Sequence, residues 1–426
     1  MEATSKTTRL CVNETLTLQT LLCPGQLLLS IDLSYMKLPL NMSHYATRQI
    51  VRLALFVSLL LGQAYSAQAQ QTAMRSLKDA VGTRFKIGVG VSHRVLANAD
   101  DARLIKQHFQ ILTPENCMKP QGIHPGEGQW NFGPTDAFAN FVRKNGLEMV
   151  GHCLVWAKDD RTDEWMMNEG NSPVTRKTLL RRIEDHVETV VKRYADVVTH
   201  WDVVNEAIGD SSDGLLRDSI YSRTTGMDFI VTAFKTAKAN DPDALLIYND
   251  YNGHKPGKRE KLIQFLTELK ARGAPIDAYG MQGHFELGDN SLSELKTTFE
   301  ALRQLDIRVV VSELDVDVVK RGKWWADGGK YRTELAAHDP YREGVPAEIE
   351  QQTVDQYVAL FKLFDEQQDT IARISFWNLH DGQSWLNYFP WRRVNHPLLF
   401  DRERRPKPAF DAVFELLDAS RLQSNN

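Results

Sequence analysis

Cysteine is scarce: four in 426 residues, of which Cys11 and Cys23 fall in the first stretch and only Cys117 and Cys153 in the rest. That excludes a disulfide-stapled scaffold, and the spacing fits no zinc motif. Cys117 and Cys153 can pair with each other, but two buried free thiols are the commoner outcome. Charge imbalance is also missing. A net charge of −4 is too small to suggest a nucleic-acid partner. No apolar run is long enough to anchor the chain across a bilayer. No HExxH occurs, and His93, His124, His254, His380 and His396 fall in loops without paired ligand spacing, so neither a metal nor any other cofactor is expected. Ser312 and Ser384 lack the context of a nucleophile elbow. Internal repeats and low-complexity linkers are absent as well.

What remains is a chain with 42% hydrophobic residues and ample material for a core. Its front reads as a targeting segment. Arg48 and Arg52 precede the apolar run Leu53 to Leu61, followed by small residues with Ala67-Gln68-Ala69. A charged region, a short apolar region and an A-x-A site form an export signal, expected to be cut after Ala69. The protein is then secreted or periplasmic and has no membrane partner. Signals begin near a chain start, so translation is expected to begin at Met36 or Met42, with the residues before it not native. The expected division is therefore 1–69, extension plus signal, and 70–426, one domain with no appended module.

From Phe85 onward, apolar strand-like runs alternate with amphipathic helical stretches. Strands are expected at Phe85–Val91, Gln110–Asn116, Glu148–Trp156, Val197–Glu206, Ala244–Asn252, Ala278–Phe285, Arg308–Val316 and Arg373–Leu379. Helical candidates lie between them, such as Thr175–Tyr194 and Ser291–Leu305, each opening on Ser or Thr with apolar residues every three or four positions. Eight strands alternating with helices indicate an α/β fold, a single (β/α)8 TIM barrel with long βα loops. The rival is a doubly wound open sheet, which would usually carry a Gly-rich phosphate turn after its first strand; GVGVSHR matches that poorly.

In such barrels chemistry sits at the C-terminal mouth. Here strand after strand ends in polar groups: Glu115-Asn116, His152, Asn205-Glu206, Asn249-Asp250, Gln282 and His284, Glu313 and Asp315. Caps and turns explain any one of these, as an Asn-Glu helix start explains HWDVVNE. They do not explain the series. Two strand-end glutamates in one sheet are the minimum equipment for cleaving a glycosidic bond, and retention of configuration requires them about 5–5.5 Å apart. Strands four and seven lie on roughly opposite sides of an eight-stranded mouth. Glu313 is the candidate nucleophile, with His284 donating to it and Asp315 positioning His284. Glu206 is then the candidate acid and, later, base. Asn205 can bond the sugar 2-hydroxyl. Trp156, Trp377 and Trp385 read either as apolar walls of a sugar subsite or as barrel-top packing. Lys119, one turn past Glu115 and Asn116, is either a surface charge or their partner at a further sugar. The long segment from Val316 to Glu350 carries Trp324, Trp325, Tyr331 and Tyr341, and a loop of that length is often functional.

The set TPENCMK, GHCLVW, WDVVNE, YNDYN, MQGH, VSELDV, FWNLHDGQSW and PLLFDRERRPKPAF, in this order over about Phe85 to Leu417, resembles glycoside hydrolase family 10, the retaining endo-β-1,4-xylanases. The resemblance implies hydrolysis of internal xylosidic bonds of xylan and xylo-oligosaccharides; the protein is expected to be a monomer. A related retaining β-glycanase acting on a decorated xylan or on β-glucan is the alternative. Glu206 would be acid/base and Glu313 nucleophile. Glu115, Asn116 and Lys119 would hold a neighbouring sugar. His152, Trp156, Asn205, Gln282, His284, Trp377 and Trp385 would surround the cleaved one, Trp385 helping to exclude a hexose hydroxymethyl group. Two departures stand out. Where the family usually has His and, two positions later, Gln, this chain has Ala157 and Asp159. Asp159 adds a charge that Lys158 or Arg161 is expected to neutralise, or those cations recognise an acidic side group. Where the family often has Gly and a Thr-Asp pair after FW, this chain has NLHDGQSW.

Overall fold

The computed structural model describes residues 6–10, 16–23, 26–31, 75–211, 214–321 and 338–424. The chain divides into two units, Met1–Arg75 and Ser76–Asn426. Within the first, strands Lys6–Leu10, Leu16–Cys23 and Gln26–Ile31 pair antiparallel in that order. The expected signal, Arg48 to Ala69, lies outside the described residues. No helix among the described residues is long and apolar enough to cross a membrane.

The second unit is built on eight parallel strands: β1 Lys86–Val91, β2 Ile111–Pro114, β3 Glu148–Trp156, β4 Val198–Asn205, β5 Leu245–Asp250, β6 Ala278–Met281, β7 Arg308–Asp317 and β8 Ile371–Trp377. Each pairs with the next, and β8 returns to β1 with Arg373 opposite Lys86, so the sheet closes. A closed parallel sheet with helices outside is the (β/α)8 barrel that the alternation implied. The open-sheet rival is excluded by that last pairing.

The helices form where their sequence directs. In Arg176–Tyr194, Leu179, Ile183, Val187, Val190, Val191 and Tyr194 recur at three- and four-residue steps and are buried against the barrel. Thr175 caps the start by accepting from the Thr178 amide, and Lys192 and Arg193 sit at the end, where they complement the helix dipole. Strand residues turned outward, such as Val309 and Val311, join this core, whereas Ile247, Ala278, Val310 and Ala372 form a separate apolar layer.

Strand ends differ from expectation where the backbone turns. β2 stops at Pro114, which has no N–H to donate, leaving Glu115 and Asn116 beyond it. The sixth strand breaks after Met281: Gln282 and Gly283 interrupt it, Gly283 at φ 82, before His284–Glu286 pairs again with β7. β8 ends at Trp377 because Asn378 takes φ 79.

Candidate active site

Glu206 is the first residue past β4 and adopts φ 57, a left-handed conformation costing a non-glycine residue about 1–3 kcal/mol. Surrounding hydrogen bonds offset that cost. Its N–H donates to the Asn249 carbonyl at 2.9 Å, and Arg217 Nε donates to the Glu206 carbonyl at 2.9 Å. The next two amides, of Ala207 and Ile208, both donate to the Tyr248 hydroxyl at 3.0 Å. That hydroxyl in turn donates to Asp250 Oδ2 at 2.5 Å. Burial pushes Asp250 up to about 6, against the opposing pull of Lys258 and the Tyr248 hydrogen bond. So held, the Glu206 carboxyl accepts at Oε1 from Gln282 Nε2, 3.1 Å away, and has Lys158 Nζ 3.1 Å from Oε2.

Glu313 lies inside β7 and is 6% exposed, so its ionisation depends on its partners. Oε1 accepts from Asn249 Nδ2 at 2.9 Å, and Oε2 lies 3.2 Å from His284 Nε2. His284 Nδ1 lies 3.0 Å from Asp315 Oδ1, and Asp315 Oδ2 accepts from Trp385 Nε1 at 2.8 Å. Burial alone would raise Glu313. The hydrogen bond and charge of His284 outweigh it, helped by His152 and Asn249, and bring the group down to about 2. Burial alone would likewise lower His284. Asp315 and Glu313 reverse that and bring it up to about 9. At neutral pH the pair is therefore imidazolium and carboxylate. The Asn249 side chain also lies 3.0 Å from that of Asn205 and fits there because Gly280 has no side chain: a Cβ on Gly280 would stand 2.3 Å from Asn249 Oδ1. Gln282 joins the two acids. Its amide donates to Glu206, and its carbonyl accepts from the Glu313 N–H at 2.7 Å.

Around this pair, His152 Nδ1 bonds Asp202 at 2.8 Å and meets the edge of Trp377 at 5.5 Å. Trp377 lies directly against Gly90, where a Cβ would be 2.6 Å from the ring. Trp385 packs beside His284 at 4.8 Å and stacks on Phe389 at 5.2 Å, and the Asn378 side chain accepts from its N–H at 2.8 Å. Asn378 thus fills a place where the family often has Gly, tolerating φ 79 while pinning Trp385. Lys119 donates to Asn116 at 3.0 Å and lies 4.9 Å above the Trp156 ring, so it is not a stray surface charge. Burial raises Glu115, against Lys119, Asn378 and Asn116, which lower it. Asn116, Lys119, Trp156 and Arg161 line a hollow of about 320 Å³, with Pro120, Gln121 and Gly122. Neither Glu206 nor Glu313 lines it, so it lies beside the acid pair and not over it.

Lys158 and Arg161 do not neutralise Asp159. The short 3-10 turn Asp159–Arg161 carries the Asp159 carboxylate to the Ile220 N–H at 2.6 Å and to Arg223 at 2.6 Å. Lys158 goes to Glu206 instead, and Arg161 lies over Trp156 at 5.2 Å with Asp160 at 3.8 Å. Ala157 is buried, its N–H on the Asn205 carbonyl. The sequence marks Asn249 and Asp250 only as strand-end groups and gives no site role to Tyr248, Asp202 or Arg217. Tyr248, Asn249, Asp250 and Asp202 carry a signal in the YNDYN and WD motifs, whose polar residues sit where apolar strand residues would be expected; Arg217 lies in neither motif. Trp324, Trp325 and Tyr331 lie outside the described residues. Tyr341 is half-buried, its carbonyl 3.0 Å from His396 Nε2. Cys117 and Cys153 are free and buried. No group of three or more His, Cys, Asp or Glu residues among the described residues is placed to hold a metal ion.

The model of glycosyl hydrolase family 10 matches residues 76–416 of this chain. The chain belongs to glycoside hydrolase family 10. It is therefore a glycoside hydrolase. Among its family 10 relatives, endo-1,4-beta-xylanase B of Paenibacillus barcinonensis is 37% identical over 341 residues, covering 80% of this chain and 97% of that protein. Endo-1,4-beta-xylanase A of Halalkalibacterium halodurans is 35% identical over 358 residues, covering 80% and 86%. A family 10 endoxylanase retrieved from a sugarcane soil metagenome superposes with a TM-score of 0.74 at 35% identity, covering 80% of this chain and 99% of that one. A mutant structure in complex with xylotriose superposes at 0.73 with 34% identity, covering 80% and 99%.

Proposed function

We propose that this protein is a retaining endo-β-1,4-xylanase that cleaves internal xylosidic bonds of xylan and xylo-oligosaccharides. The observation that carries the reading is the unequal setting of its two carboxyls. Glu313 is held ionised by His284, while Glu206 is reached from the break after β6 by the side-chain amide of Gln282, whose backbone carbonyl anchors Glu313. In the first step the Glu313 carboxylate attacks the anomeric carbon as Glu206 gives its proton to the departing glycosidic oxygen. The C–O bond breaks and a glycosyl ester forms. In the second step Glu206, now a carboxylate, takes a proton from water, the water oxygen attacks the anomeric carbon, and Glu313 is released. Asn205, His152 and the indoles of Trp156, Trp377 and Trp385 line the cleaved sugar, and Glu115, Asn116 and Lys119 bind its neighbour. We further propose that residues 1–69 comprise an extension and an export signal, and that residues 70–426 act outside the cytoplasm as a monomer.

A second reading, a related glycanase acting on decorated xylan or β-glucan, draws on Ala157 and Asp159, which leave the usual His and Gln unrepresented. Reducing-sugar release separates the two: xylan turnover at least tenfold above β-glucan supports the first, and the reverse order overturns it. Proton NMR of the first-formed product tests the stereochemistry. The β-anomer must appear before mutarotation; an initial α-anomer contradicts double displacement.

A further inference from the structure

Lys158 stands against the carboxyl of Glu206. Its ammonium is 3.1 Å from Oε2, while Gln282 donates to Oε1. Oε2 is buried and accepts no aligned hydrogen bond among the described residues, so Lys158 meets it as a charge. The other charged groups nearby do not take this role. Arg217 reaches only the backbone carbonyl of Glu206, and Asp250 on β5, with Lys258 3.4 Å from it, faces Glu206 as a like charge.

The backbone at Lys158 is fixed. Its N–H donates to the Trp156 carbonyl at 2.8 Å, and its carbonyl accepts from the Thr162 hydroxyl at 2.7 Å and the Arg161 N–H at 3.1 Å. The next residue, Asp159, ties the turn to Ile220 and Arg223. The departure at Asp159 thus moors the turn that presents Lys158. The Lys158 side chain remains 28% exposed, so its removal opens no cavity in the core.

We propose that Lys158 is a positioning residue for proton donation by Glu206. Ammonium and amide, one at each oxygen, hold the carboxyl plane toward the departing oxygen. The ammonium also offsets the negative charge that Glu206 acquires as its proton leaves. The inference rests on the reading of Glu206 as the acid. Its consequence is selective. A sugar leaving group needs the proton, whereas dinitrophenolate does not.

The test compares kcat/KM, which reports the first step, on xylotetraose and on 2,4-dinitrophenyl β-xylobioside. Wild type, Lys158→Met, Lys158→Arg and Glu206→Ala are each assayed at their own pH optimum. General acid catalysis contributes about 10²- to 10⁴-fold, and loss of one of two positioning contacts removes part of it. Lys158→Met is expected to lose about tenfold on xylotetraose and less than twofold on the aryl substrate, while Lys158→Arg stays within about threefold of wild type on both. Equal losses on both substrates, no loss on either, or an arginine variant as poor as the methionine variant overturns the proposal. Glu206→Ala separates the two levels. If it spares the aryl substrate and Lys158→Met shows no selectivity, only the role of Lys158 falls. If Glu206→Ala fails to spare it, the acid assignment falls and takes this inference with it.

Discussion

Replacing His284 by Phe should move the acid limb of catalysis upward. The imidazole is the largest influence holding the buried Glu313 carboxyl below its ordinary 4.5, at about 2. At about 1.4 kcal/mol per unit, that displacement is about 3 kcal/mol of preference for the ionised form. Phe keeps the ring beside Trp385 but removes both the hydrogen bond to Glu313 and the positive charge. Burial then acts against Asn249, His152 and the buried Arg373, and Asp315 remains behind as a negative neighbour. Glu313 should rise to at least its ordinary value. At pH 3.5 the ionised fraction would fall from nearly all to roughly a tenth. The sign follows from the direction of the shift: a depressed carboxylate keeps its charge above its lowered value and loses it only as pH falls through about 2. The assay is kcat/KM on 2,4-dinitrophenyl β-xylobioside between pH 3 and 6. That substrate needs no acid, so the acid limb reports the nucleophile. Wild type should be nearly flat over this range, and His284→Phe should decline toward low pH with a limb at or above 4.5. A variant whose profile stays flat to pH 3 would refute the assignment of Glu313's ionisation to His284.

The same pair makes a statement about stability. His284 is raised to about 9, so its stabilising contribution is fully present below its unfolded value near 6.5 and is lost as pH rises through about 9. Unfolding free energy from denaturant titrations should therefore fall by about 3 kcal/mol or less between pH 6.5 and pH 10, and fall less in His284→Phe. Tyr248→Phe removes the hydroxyl that satisfies the amides of Ala207 and Ile208, and should lower stability by about 2–4 kcal/mol. It should also cut kcat at least tenfold with KM within twofold, because the backbone that aims Glu206 loses its anchor. Gly280→Ala puts a methyl 2.3 Å from Asn249 Oδ1 and displaces the Glu313 partner. Activity should fall by more than tenfold, with about 1–3 kcal/mol lost in thermal unfolding.

The barrel was legible because its signal is repeated: eight apolar runs, each followed by an amphipathic stretch, leave few other topologies. β3 matches its expected bounds, Glu148–Trp156, and β7 runs one residue beyond. The misses are local backbone events. The sequence pattern of the sixth strand runs on through Gln282-Gly283, although a lone Gly in a strand is a known sign of interruption. That break is where Gln282 reaches both acids. The pattern of the eighth strand runs to Leu379, two residues past its end at Trp377, because Asn378 leaves the sheet at φ 79. Polar strand ends identified the mouth, but not which groups meet there. Asn249 and Glu313 come together across strands far apart in sequence, made possible by an absent side chain at Gly280. Lys158 could not be told from Arg161 within AKDDRTDEW, since the fold of a short turn decides which cation faces Glu206 and which faces Trp156.

The proposed double displacement requires that Glu313 form a bond to the sugar while Glu206 handles the proton. The most direct measurement is to trap that bond with 2,4-dinitrophenyl 2-deoxy-2-fluoro-β-xylobioside, digest the protein and locate the added mass by tandem mass spectrometry. The account predicts one equivalent of 2-fluoroxylobiosyl on Glu313, with activity lost in parallel and recovered as the ester turns over. Label on Glu206 or another residue, or complete turnover of the reagent by protein that never carries it, would contradict the account.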